Sequence, residues 1–430
     1  MNPPVSKKSN LKTEAVAGVT TFFTMAYIVV VNPQILSADG KTGMAFSGVL
    51  TATVIICFLM TLLMGLYAKL PFAVAPGMGI NAFFTYTIIL GKGVPWPTAL
   101  GIIFWAGVFF LLISATPIRE SIAKAIPREI RIAAAAGIGI FLTCIGLKSA
   151  GFVVADPVTF VKIGSLGKPA LLTILGVAIS IFLMTRHSPF AFLLTIVVIT
   201  LVAWALGLVS SPAQKLSLPD FKSVFFKLDI LGALKLGLVP SIIAILFTDL
   251  FDSISTFIGV AHAGGLLDDE GHPRNLRQGL IVDSLATMGA GLAGTSSGTA
   301  YIESIAGIEM GGRTGLTSVF TALCFLPCLF IAPIAGMVPP FATAAVLILV
   351  GAAMFRSVAE INFLKIEEGI PAFLTLILIP LTFSITQGIL WGFISHVGLY
   401  LLVGRRRDIH PVMYALAVVS IGMLVLERFG

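Results

Sequence analysis

Thr248-Asp249-Leu250-Phe251-Asp252-Ser253-Ile254-Ser255-Thr256 lies inside a run, from about Leu238 to Val260, that is otherwise apolar and long enough to cross a bilayer. On a helix, Asp249, Asp252, Ser253 and Thr256 fall within an arc of roughly 100°. The opposite side carries Leu250, Phe251, Ile254 and Phe257. A charged Asp at mid-bilayer costs about 2.5–3.5 kcal/mol on insertion scales. One reading is a pair of carboxylates satisfied by hydroxyls of adjacent helices. The other is a solute or proton site, the default for intramembrane carboxylates.

The rest of the composition agrees with a membrane location. Hydrophobic residues make up 57% of the chain and charged residues only 11%, against about 25% charged in soluble domains. Mean hydropathy is +1.04. The expectation is an all-α polytopic membrane protein, one unit over residues 1–430, without a large soluble domain. The N-terminal segment is too long and too rich in hydroxyls for a signal peptide. Cys57, Cys144, Cys324 and Cys328 sit in apolar runs, and Cys324 and Cys328 lack the neighbours a zinc site needs. The five His are scattered. No metal and no cofactor are expected.

Apolar runs occur at about 14–31, 46–67, 72–90, 94–115, 130–147, 170–185 and 189–209, then at 238–260, 278–293, 296–312, 314–336, 340–355, 370–385 and 387–403. That is about fourteen spans, with a short run at 411–426 left open. With the N-terminus inside, loops assigned to the cytoplasm hold nearly twice the Lys and Arg of the outer ones, and every Arg except Arg428 lies inside. This is the positive-inside bias, and it accounts for the net charge of +7 without nucleic acid as a partner. Residues 216–236 alternate Lys with Phe and Leu and suggest an interfacial helix. Asp268 to Pro273 reads as a solvated turn, and Ile118 to Ile130 as a linker.

The chain halves near residue 215. Its third span is interrupted at Pro71-Phe72-Ala73-Val74-Ala75-Pro76-Gly77-Met78-Gly79-Ile80-Asn81, and about 220 residues later Gly291 to Ser304 is interrupted in the same way. Matched breaks in two halves point to a transporter's binding site, and an odd number of spans per half makes the repeats inverted. Breaks also free backbone groups and half-helix N-termini at membrane depth. Asp249, Asp252, Asp283 and Glu303 are expected to be the buried carboxylates, with no Lys or Arg beside them. A carboxylate buried without a cation favours its neutral form, which suits proton coupling. Glu303 is placed at the start of a half-helix, and Asn81 adds an amide that both donates and accepts. Asp283 reads chiefly as structural. Gly289-Ala290-Gly291-Leu292-Ala293-Gly294 matches a dinucleotide fingerprint but follows no strand, and no nucleotide-hydrolysis motif is present.

Four further stretches carry a resemblance: Ala17 to Tyr27 with Asn32-Pro33; Ala75 to Ala82; Thr248 to Asp252; and Gly294-Thr295-Ser296 with Tyr301-Ile302-Glu303-Ser304 and Gly311 to Gly315. Across nearly its whole length the chain resembles the nucleobase–cation symporter-2 family, in its AzgA-like purine permease branch. The resemblance implies fourteen spans as two inverted repeats of seven. A core domain would take 12–117 and 237–336, and a gate domain 127–210 and 339–430. Spans 3 and 10 would each carry a short strand, the two pairing at mid-membrane. It implies elevator-type symport of purine nucleobases with protons, a multi-pass inner or plasma membrane location with a cytoplasmic N-terminus, and homodimers. Substrate positions fall on Gly79, Asn81, Asp249, Ile302 and Glu303, and proton-coupling positions on Asp249, Asp252 and Glu303. The competing readings are a sulfate-type anion carrier of the same architecture, a channel, and an intramembrane enzyme. The enzyme needs a nucleophile–base pair that His262 and His396 do not form in any motif.

Overall fold

Both interruptions are strands, and they pair. β1 (Val74–Pro76) and β4 (Gly298–Ala300) run antiparallel, with Val74 opposite Ala300, Ala75 opposite Thr299 and Pro76 opposite Gly298. They lie in a computed structural model that describes residues 10–116, 125–267 and 273–429. Beyond each strand the chain re-enters helix, at Met78–Ala82 after β1 and at Ser304–Glu309 after β4.

Around this pair the elements form seven units in each half. In the first half these are span 1 (Leu11–Met25 and Ile28–Ser37), span 2 (Phe46–Leu63), span 3 (β1 with Met78–Ala82 and the π-helical Phe83–Ile89), span 4 (Trp96–Ala115), span 5 (Arg128–Ser149), span 6 (Lys168–Thr185) and span 7 (Ala191–Ala205). In the second they are span 8 (Val239–Gly264), span 9 (Leu276–Ala293), span 10 (β4 with Ser304–Glu309), span 11 (Gly315–Phe325 running on to Gly336), span 12 (Pro340–Phe355), span 13 (Ile366–Thr382) and span 14 (Ile385–Leu402). Eight of the described helices are long and apolar enough to cross a membrane, joined by shorter apolar ones. Span 5 packs on spans 12 and 13, span 4 on span 9, and span 1 on span 11. A terminal helix, Pro411–Phe429, packs on span 14. At 1.5 Å per residue it is about 28 Å long, close to the hydrocarbon thickness.

The segment expected to be an interfacial helix, 216–236, is not one. It holds the 3-10 turn Gly232–Leu234 and the start of another, Leu236–Leu238, and otherwise runs as an irregular strap. Asp220 explains why: its carboxylate accepts from Lys222 N–H (3.0 Å), Ser223 N–H (3.1 Å) and the Ser47 hydroxyl (2.8 Å). Such local bonds compete with helix. The strap is tied down by Phe226 N–H to Leu292 (2.8 Å) and Asp229 N–H to Pro97 (2.8 Å), with Val224 fully buried. Gly294 ends span 9 at φ +93°, and an added Cβ would lie 2.6 Å from Val224. Between spans 5 and 6 a hairpin, β2 (Val153–Asp156) and β3 (Phe160–Ile163), occupies a loop. Residues 268–272 of the turn and most of the 118–130 linker lie outside the described residues.

A carboxylate that the sequence reading passed over also shapes the fold. Glu14, at the start of span 1, is fully buried. It accepts from Arg313 N–H (3.2 Å), Thr314 N–H (3.4 Å) and the Thr317 hydroxyl. It therefore caps the N-terminus of span 11, where the helix dipole favours an anion. Arg313 in turn donates from Nη1 to the Gly264 carbonyl at the end of span 8 (2.7 Å). Glu14→Ala orphans these donors, an expected loss of about 1–3 kcal/mol, read as a fall in Tm of the detergent-purified protein. Glu14→Gln should recover part of it.

Candidate functional site

Opening two helices inside a membrane leaves backbone groups that lipid cannot satisfy. Here side chains and the opposite strand take them up. Thr61 of span 2 accepts from Val74 N–H (2.9 Å) and donates to Val74 O (3.1 Å). Ala73 N–H donates to the Ser304 hydroxyl (3.0 Å), Tyr301 N–H to Ala73 O (2.9 Å) and Gly77 N–H to Ser297 O (2.9 Å). The Ser318 hydroxyl bonds the Leu70 and Phe72 carbonyls (2.7 and 2.9 Å), and the Tyr301 hydroxyl bonds Pro76 O (2.5 Å). The hydroxyl residues around the breaks thus hold two interrupted spans in one rigid cross.

The carboxylates are arranged about that cross. Asp249 is fully buried, and its Oδ2 accepts from the Ser297 hydroxyl (2.7 Å) and from Thr287, while Oδ1 has no partner among the described residues. Asp283, also fully buried, accepts Ala300 N–H (3.1 Å) and so pins β4, the structural part expected of it. Glu303 is half-buried at the N-cap of Ser304–Glu309, and its Oε1 accepts from the Tyr27 hydroxyl of span 1 (2.7 Å). Asn81 is fully buried, takes the Ser296 hydroxyl on Oδ1, and leaves Nδ2 without a partner among the described residues. Ile302 is 57% exposed and lies between Tyr301 and Glu303.

Beside the strands is a crevice of about 60 Å³, between spans 3 and 8 on one side and spans 5 and 12 on the other. Of the expected site residues, Gly79 and Asp252 line it. Asn81, Asp249, Ile302 and Glu303 are not in its wall. Thr248, Phe251 and Ser255 of span 8 line it too, facing Arg131, Ala134, Ala135 and Ile138 of span 5. Further along, a funnel of about 860 Å³ is lined by Lys92, Lys235 and Phe383. The Thr87 hydroxyl of span 3 bonds the Phe383 carbonyl there, between spans 13 and 14.

The sequence matches the Permease family over residues 12–390. This chain belongs to that family. The permease is 43% identical to an adenine permease of Escherichia coli, covering 96% of this chain and 93% of that one. It is 38% identical to a guanine/hypoxanthine permease of Bacillus subtilis (96% of each), and 46% identical to a permease of Methanocaldococcus jannaschii (96% and 94%). Its fold resembles the transmembrane domain of a cyanobacterial bicarbonate transporter, with a TM-score of 0.66 at 18% identity over 90% of this chain and 98% of that one.

The permease departs from the expectation of carboxylates without cations. Arg131 is half-buried and borders the same crevice as Asp252. The signal was available: Arg131 is the one basic residue inside the run 130–147, but the loop count assigned it to the cytoplasm. Thr61, Thr287 and Ser297 carried no comparable signal, because hydroxyls are ordinary in membrane helices. Gly79 matters for closeness. A Cβ built on it lies 2.4 Å from Ile138 Cγ2 of span 5. Gly79→Ala is therefore expected to lower transport several-fold at normal membrane levels, and Ile138→Ala in the same protein to restore most of it, measured as initial uptake rates.

Proposed function

We propose that the permease imports purine nucleobases as a secondary active proton symporter, from an inner or plasma membrane with its N-terminus in the cytoplasm. The observation that carries this reading is the placement of Asp249, Asp252 and Glu303 around the paired strands. Relatives named for adenine and for guanine/hypoxanthine, matched over nearly their full length, support the substrate class. In this reading the base lies between a core (spans 1–4 and 8–11) and a gate (spans 5–7 and 12–14). Glu303 accepts a ring or exocyclic N–H, Asn81 adds its unpaired amide, and Gly79 and the Ile302 backbone let the ring approach. The core then moves against the gate, and the funnel beside Thr87 and Phe383 belongs to the outer side.

Asp249 is the proposed proton carrier. Ionised and empty, it is expensive to move at membrane depth. Protonated, it is neutral and donates a hydrogen bond, so proton and purine favour each other's binding. That coupling is reciprocal. Asp252, one turn along the helix, assists because two like charges disfavour joint ionisation. A second reading, an anion carrier, has one observation in its favour, Arg131 in the crevice. The surrounding carboxylates oppose it.

Uptake of labelled hypoxanthine, adenine and sulfate by cells lacking their own purine carriers separates these readings. Saturable, gradient-driven purine uptake is expected, and sulfate uptake in its place overturns the proposal. Glu303→Ala should lose about 1.5–3 kcal/mol of purine binding, the range for a hydrogen bond to a charged group, or roughly tenfold to over a hundredfold. In proteoliposomes, Asp249→Asn should bind purine with a weaker pH dependence and fail to concentrate it, with Asp252→Asn milder. Wild-type proton movement by Asp249→Asn would transfer the coupling role to Asp252 or Glu303.

A further inference from the structure

We propose that Arg131 is a substrate-binding residue on the gate side, donating a hydrogen bond to a ring nitrogen of the purine, so that the base bridges the two parts of the carrier. This rests on the purine reading above. Arg131 Nε is buried and has no acceptor among the described residues. Thr248 Oγ1, on the opposite wall of the same crevice, is likewise buried without a partner. Buried donors are nearly always paired. Two residues that line one slot from opposite helices, each with an unpaired buried polar atom, call for an occupant that accepts from the guanidinium and bonds the hydroxyl.

The walls narrow the chemistry of that occupant. Arg131, Ala134, Ala135 and Ile138 follow the i, i+3, i+4, i+7 spacing and form one face of span 5. Beyond the guanidinium this face is small and apolar. Phe251 stands on the span 8 side, and Asp252 presents the carboxylate. The slot therefore has apolar flanks, a donor on the gate and an acceptor on the core. A flat heteroaromatic ring with both a bare ring nitrogen and an N–H matches all of these. A small inorganic anion offers no N–H to Asp252. Arg131's helix neighbour Arg128 is engaged elsewhere, with Glu360.

The test pairs substrate atoms with the side chain. Binding of hypoxanthine, 7-deazahypoxanthine and 3-deazahypoxanthine is measured on purified wild type, Arg131→Met and Arg131→Lys, using only protein that elutes as wild type does. In wild type, one of the two deaza compounds should bind about tenfold weaker or worse, since it lacks an acceptor for a charged donor. In Arg131→Met, hypoxanthine itself should weaken, and that analogue's penalty should shrink to within about twofold. Arg131→Lys, a point charge without the guanidinium fork, should give an intermediate penalty and serves alone if the Met variant does not fold. An analogue penalty that is the same in wild type and every folded variant, or no penalty in wild type for either compound, overturns the role of Arg131 while leaving purine transport intact. Failure of wild type to bind any purine overturns both readings together.

Discussion

A polypeptide at mid-membrane must satisfy each backbone N–H and C=O from within the protein, and this chain breaks two helices there. β1 and β4 resolve the conflict by pairing with each other, each supplying what the other has lost. Three paired residues on each strand are not enough alone, so hydroxyls complete the pattern: Thr61 on Val74, Ser304 on Ala73, Ser318 on the carbonyls ahead of the strand. The gain is a fixed, non-helical point in the bundle, around which side chains and half-helix starts are gathered.

The carboxylates take their characters from this cross. Asp283 holds β4 through Ala300 N–H, which makes it part of the scaffold. Asp249 is met by Thr287 and Ser297 from the neighbouring spans, so its surroundings change if the strands move. Glu303 is tied to span 1 through Tyr27, and Asp252 opens on a crevice it shares with Arg131. Of these four acidic groups, which look alike in the sequence, Asp283 is thereby a structural pin, Asp249 an enclosed group, Glu303 a tether to span 1 and Asp252 an open one. Away from the strands, Glu14 and Arg313 tie spans 1, 8 and 11 together by capping helix ends of opposite polarity.

Much of this was legible in the chain. Span positions follow from apolar runs, because a bilayer demands about twenty apolar residues whatever the partners are. The breaks were visible as Gly and Pro in matching places, and their pairing came with the family resemblance. The strap at 216–236 was misread because alternating Lys and Phe was weighed above Pro219 and above Asp220, whose side chain takes the local N–H groups. Glu14 and Arg131 were missed because each stands at the edge of an apolar run, where a charge looks solvated until neighbouring helices are placed around it.

By itself, the sequence determined the membrane location, the two broken spans, the concentration of acid on one face of span 8 and membership of a permease family. These depend on composition and on patterns within a single segment, so no partner is needed to read them. Only the tertiary structure decided which carboxylate is enclosed and which faces space, that Asn81 turns to Ser296, and that Gly79 lets Ile138 come close. It also brought Arg131 within one crevice of Asp252, although they are 121 positions apart in the chain. Helical periodicity gives a residue its face but not the neighbour that face will meet. That neighbour is chosen by how two halves of the chain pack, and packing is a property of all the spans at once.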